Sequence, residues 1–96
     1  EDFNMGTKIR KIKIHPTYGL DFLVTLPDIV DDVDAWVQDM FLTAESWDYV
    51  DEDEQARATI QLTTTNNERF PLGFYEDVED IDEWLDENVT LVADWY

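Results

Sequence analysis

Laid against itself at an offset of 48, half of its 96 residues and with no gap, the chain repeats. Ile12 falls on Ile60, Thr17 on Thr65, Phe22 on Phe70, Val30 on Val78, Asp32 on Asp80, Asp34 on Asp82, Trp36 on Trp84 and Trp47 on Trp95. Ile14 with Leu62, Val24 with Leu72, Leu26 with Phe74, Val33 with Ile81 and Val37 with Leu85 are conservative pairs at the same offset. Two acidic amphipathic helices resemble each other whatever their origin, which accounts for the matches around Trp36 and Trp84. It does not account for Ile12, Phe22 and Trp47. The spacing therefore predicts an internal repeat, residues 8–48 and 56–96, inside a single domain spanning residues 1–96.

Each half reads as a hairpin followed by a helix. Ile12 and Ile14 alternate with Lys11 and Lys13, His15-Pro16-Thr17-Tyr18-Gly19 supplies turn chemistry, and Phe22, Val24 and Leu26 alternate again. Ile60 and Leu62, a turn through Thr65-Asn66-Asn67, and Phe70, Leu72 and Phe74 repeat the pattern, with Pro71 predicting an edge strand or a bulge. Ile29, Val33, Trp36, Val37, Met40 and Phe41 then recur at three-to-four spacing, which predicts a helix over about residues 28–42 capped by Asp28. Val78, Ile81, Trp84, Leu85 and Val89 predict its counterpart, capped by Glu76 or Asp77. Trp47-Asp48-Tyr49-Val50 and Val89 to Tyr96 are expected to add a third strand to each half. The predicted class is α+β: two pseudo-repeated β-hairpin–helix(–strand) halves forming an antiparallel sheet packed by two acidic amphipathic helices. Asp51-Glu52-Asp53-Glu54 reads as a solvated loop between them.

The charge narrows function. Twenty-four Asp and Glu against six Lys and Arg give a net −18, and four of the bases, Lys8, Arg10, Lys11 and Lys13, sit in one short segment. From residue 14 onward, 22 acids face only Arg57 and Arg69. Such a chain is not expected to bind nucleic acid or an anionic membrane directly, because binding either requires cations. With 44% hydrophobic and 14% aromatic residues it should nonetheless fold. The absence of cysteine removes disulfides, thiolate metal sites and thiol nucleophiles, and no apolar run approaches the ~20 residues of a membrane helix. A soluble cytoplasmic protein is expected, with Met5 as the native start and residues 1–7 a tag or a disordered lead-in.

Catalytic constellations are poorly supported. His15 and Ser46 are the only residues of their kinds, and no nucleophile-elbow glycines flank Ser46, so His15 reads as an exposed turn residue. Paired-carboxylate hydrolysis would need a deep cleft to raise one acid's pKa. A calcium loop beginning at Asp51 would place Ala56 where glycine makes the turn and Leu62 where the bidentate acid belongs. Neither an enzyme, a resident metal nor a cofactor is expected.

The acids themselves are the informative feature. Asp28, Asp31, Asp32, Asp34 and Asp39 occupy the polar side of the first predicted helix, and Glu76, Asp77, Glu79, Asp80, Asp82, Glu83, Asp86 and Glu87 that of the second. An ordinary surface helix would follow an acid with Lys or Arg four residues on and gain a few tenths of a kcal/mol per pair. This chain forgoes those pairs, which makes these thirteen residues the candidate partner-binding set.

A small, cysteine-free domain with carboxylates arrayed on helices resembles the DNA-mimic proteins of phages and mobile elements. The Leu26-Pro27 step into an acidic helix, with Trp47-Asp48-Tyr49 beyond it, resembles antirestriction proteins of the ArdA type over about 25 residues. The resemblance implies an anti-CRISPR or anti-restriction inhibitor, a viral protein acting in the host cytoplasm on a cationic DNA- or RNA-binding protein, and it permits a homodimer. This chain is much shorter than ArdA and carries a second hairpin, so no individual functional residue transfers. An acidic immunity protein or antitoxin held against a cationic toxin, and the acidic surface of a halophile's ordinary domain, are the competing readings.

Overall fold

The computed structural model describes residues 9–96; the expectations for residues 1–7, and Lys8, lie outside the described residues. The elements in chain order are β1 (Lys11–Pro16), β2 (Phe22–Thr25), α1 (Val33–Met40), β3 (Ala44–Val50), β4 (Ala58–Thr64), β5 (Arg69–Phe74), α2 (Ile81–Asn88) and β6 (Val92–Trp95). The fold is α+β: all six strands join one antiparallel sheet in the order β3-β1-β2-β5-β4-β6, with two helices.

Strand alternation gives the sheet one buried face. Ile12, Ile14, Phe22, Val24, Ile60, Leu62, Phe70 and Leu72 point into the core, where Val33, Val37 and Met40 of α1 and Leu85 of α2 meet them. Burying each such side chain is worth about 1.5–3 kcal/mol. The β1–β2 turn passes through Gly19 (φ +89°) and the β4–β5 turn through Asn67 (φ +69°), residue types that tolerate left-handed backbone. The register shifts between His15 and Pro16 where β1 meets β3, and between Thr63 and Thr64 where β4 meets β6.

Both helices are shorter than their apolar spacing predicts. The caps are Asp32, accepting from the Ala35 N–H, and Asp80, accepting from the Glu83 N–H, each at 3.1 Å; they replace the expected Asp28 and Glu76 or Asp77. Ile29 fits the helical period but lies in a turn, 72% exposed, because the Val30 N–H closes back on the Pro27 carbonyl before the helix begins.

The edge or bulge expected from Pro71 is also corrected, since β5 is interior. Gln61 spends both backbone groups on Tyr96, so Pro71 opposite it forms a non-hydrogen-bonded pair and its nitrogen faces β2. The β2 ladder has already stopped at Val24 and Leu72. The missing N–H therefore falls at the end of that ladder, opposite Thr25, and interrupts no bond within it.

The two halves of the chain share one core. Trp36 stacks edge-on against Phe70 at 5.2 Å between centroids, and Trp84 against Phe22 at 5.0 Å, so each tryptophan packs on the other half's hairpin. Where the helices end, the Leu42 N–H reaches the Asn88 carbonyl and the Thr90 N–H reaches Met40's, both at 2.8 Å, around a bridge between Phe41 and Val89. Asn88, one of two buried polar side chains among the described residues, donates to the Trp84 carbonyl and accepts from the Thr43 hydroxyl.

Candidate partner-binding surface

All thirteen candidate acids are exposed. They do not form two helix faces. Asp28, Asp31 and Asp32 lie in the turn and extended chain leading to α1, and only Asp34 and Asp39 are on it. Glu76, Asp77, Glu79 and Asp80 likewise precede α2, which carries Asp82, Glu83, Asp86 and Glu87. Negative charge in the first turn complements the helix dipole, but neither helix has a base in its last turn, and Asp82–Asp86 and Glu83–Glu87 are repulsive pairs at four-residue spacing.

Five of the thirteen are held by the fold. Asp32 and Asp80 cap the helices. Asp34 accepts the Trp47 indole N–H and Asp82 accepts that of Trp95, each at 2.6 Å, which fixes both carboxylates against the outer strands. Asp77 pairs with Arg57 at 2.9 Å in an exposed bridge of small energetic weight. The other eight accept no protein hydrogen bond among the described residues.

Arg57 and Arg10, the latter donating to the Pro27 carbonyl beside Asp28, stand among these acids; the other described bases do not. Lys11, Lys13 and Arg69 alternate with core residues and so project from the sheet face opposite the helices. Lys11 donates to the Glu54 carbonyl at 2.8 Å and Lys13 lies 4.9 Å from the centre of the Tyr75 ring. The acidic linker is anchored on this face rather than fully solvated. Glu54 accepts from the Tyr75 hydroxyl at 3.0 Å, and Ala56 sits over Gly73 so closely that a Cβ there would lie 2.6 Å from Ala56 Cβ. Burial and then the Glu54 carboxylate push the Tyr75 phenol well above its ordinary pKa.

His15 is a strand residue, not the turn residue its Pro suggests. Its Nδ1 lies 3.0 Å from Asp21 and its Nε2 2.9 Å from Asp48, bonds that raise its pKa above 6.5, Asp48 contributing most. Ser46 is its cross-strand neighbour, but both ring nitrogens are taken by carboxylates, which leaves none to accept a proton from that hydroxyl. Among the described residues no three of His, Asp and Glu converge as metal ligands would, and no helix is long and apolar enough to cross a membrane.

One feature the sequence reading missed is a recess of about 280 Å³ beside Trp84, between the β1–β2 turn and the approach to α2. Comparison with protein-family models, with curated proteins and with solved structures found no match to this chain.

Proposed function

We propose that this protein is an acidic inhibitor that mimics DNA, occupying the nucleic-acid-binding surface of a cationic host-defence or DNA-processing protein, as anti-CRISPR and anti-restriction proteins do. The observation that carries the reading is an imbalance of charge: thirteen exposed carboxylates crowd the two helices and their approaches, where among the described bases only Arg57 and Arg10 meet them, while Lys11, Lys13 and Arg69 project from the opposite face of the sheet. The molecule is 44 Å long and 25–26 Å across. Duplex DNA of that length carries about 26 charges at one per ~1.7 Å. A net −18 on a body of these dimensions approaches that density.

We further propose that the two arrays arose by duplication of one hairpin–helix–strand unit, which would give a mimic two phosphate-like rows. Support comes from pairs 48 residues apart: the caps Asp32 and Asp80, the left-handed Gly19 and Asn67, the indole acceptors Asp34 and Asp82, and the cross-packed Trp36 and Trp84. Exchanging β1, β2 and β3 with β4, β5 and β6 returns the same strand order read from the other edge.

The test is capture followed by displacement. Immobilised protein is exposed to host extract at low salt and eluted with duplex DNA. Nucleic-acid-binding proteins released by DNA, from a chain that circular dichroism finds folded at the same ionic strength, support the inhibitor. Retained proteins that DNA does not release point to a toxin-type partner. A chain that folds only in molar salt is a halophile's domain and contradicts the proposal.

A further inference from the structure

We propose that the recess beside Trp84 is a socket for one arginine side chain of the partner, an inference that rests on the inhibitor reading and places an anchor point within it. Its walls are apolar, formed by Leu20, Phe22, Phe74, Val78 and Trp84, and its mouth carries Asp21, Glu76 and Asp77. At about 280 Å³ it falls just short of the ~300–1,000 Å³ of small-molecule sites and suits a single inserted side chain.

The corresponding place in the other half shows what the recess lacks. There Glu68 accepts the Trp36 indole N–H at 3.1 Å. The residue 48 positions before Glu68 is Leu20, 58% exposed, and among the described residues the Trp84 indole N–H has no acceptor. At the next position Asp21 stands where the other half has Arg69. In one of the two matching places a carboxylate takes the tryptophan N–H; in the other a leucine stands in its position and the N–H has no protein acceptor among the described residues.

The chemistry selects the occupant. An anionic anchor is repelled by the rim and by the field of the whole molecule. A lysine ammonium is strongly hydrated and would have to be stripped of water against apolar walls, whereas guanidinium is weakly hydrated, lies against aromatic rings and forks onto carboxylates. Asp21 and Asp77 already hold His15 and Arg57; the Arg57–Asp77 pair is exposed and an incoming cation can exchange with it at little cost, while the His15–Asp21 pair is half-exposed. Glu76 makes no ion pair among the described residues. Arginine is also enriched among residues that dominate binding energy at interfaces.

The experiment follows the four tryptophan indole N–H resonances by NMR during titration with a capped Gly-Arg-Gly peptide, and with its lysine and norleucine analogues. Expected is a saturable shift of Trp84, with the arginine peptide binding about tenfold more tightly than either analogue. Leu20→Glu places a carboxylate beside Trp84 as Glu68 stands beside Trp36, filling the recess while making the protein more negative, so diffuse attraction predicts tighter binding and the socket predicts loss. Glu76→Gln, at an exposed position, should weaken binding several-fold and serves if Leu20→Glu disturbs the fold. Equal shifts at all four indoles, or undiminished binding in the two variants, overturn the socket. Those results leave the inhibitor reading standing, because DNA displacement of the captured partner is read separately.

Discussion

Trp47 donates its indole N–H to Asp34 at 2.6 Å, tying the outer strand β3 to the first turn of α1, and Trp95 ties β6 to α2 through Asp82 in the same way. Some members of the acidic array are therefore structural. Asp34→Ala and Asp82→Ala should each destabilise the protein by about 1 kcal/mol, since each removes a charge-assisted hydrogen bond that ties an outer strand to a helix. Asp39→Ala removes only charge and should leave the melting temperature unchanged or slightly raised. Equal effects at the three positions in thermal unfolding would show that the indole bonds contribute nothing.

The same division governs charge reversal. Asp80 and Asp82 hold a cap and an indole, so the informative set is Glu79, Asp86 and Glu87 changed together to Lys. Asp82–Asp86 and Glu83–Glu87 would turn from repulsive into attractive pairs, each worth a few tenths of a kcal/mol. Stability should hold or rise while partner affinity falls by at least tenfold, about 1.4 kcal/mol. Undiminished affinity in a folded variant would move the interface off α2.

His15 gives the protein a pH dependence of known sign. Its folded pKa lies above 6.5, so the folded state binds the proton more tightly than the unfolded chain. The resulting stability is fully present below pH 6.5 and is lost as pH rises through the folded value. Carboxylate repulsion also changes with pH, so the quantity to measure is the difference between wild type and His15→Gln. That difference should shrink from pH 6 toward pH 9. The His15 ring should titrate above 6.5 by NMR and return toward 6.5 in Asp48→Asn.

Gly73→Ala tests the seating of the linker. The added methyl would sit 2.6 Å from Ala56 Cβ and 3.4 Å from Leu23 Cβ, so the linker must lift from the sheet. A loss of about 1–3 kcal/mol is expected. Pairing it with Ala56→Gly should recover much of that loss; if it does not, the strain lies in β5 itself.

Period-two and three-to-four spacing made the strands, the helices and most of the core legible, because Ile12, Ile14, Phe22, Val24, Val33 and Val37 each point where their period puts them. Helix starts were not legible in a run where Asp28, Asp31, Asp32 and Asp34 are all competent caps, and the choice of Asp32 depends on the turn at Pro27. The centrality of β5 was hidden because Pro71 reads as an edge signal, and only the pairing of Gln61 with Tyr96 shows where its nitrogen points. The acids were legible as a set, but their division into free and structural members depends on tryptophans 13 residues further along the chain. Leu20 opposite Glu68 was visible at the offset of 48. The offset alone does not show that Trp84 lies beside Leu20 and Trp36 beside Glu68.

The most direct measurement is the affinity for the captured partner as a function of salt. If the carboxylates replace phosphates, log K against log salt concentration should fall steeply between 50 and 200 mM, duplex DNA should compete for the same site, and the Glu79, Asp86 and Glu87 reversal should flatten the slope. An affinity independent of salt and indifferent to DNA would contradict the account.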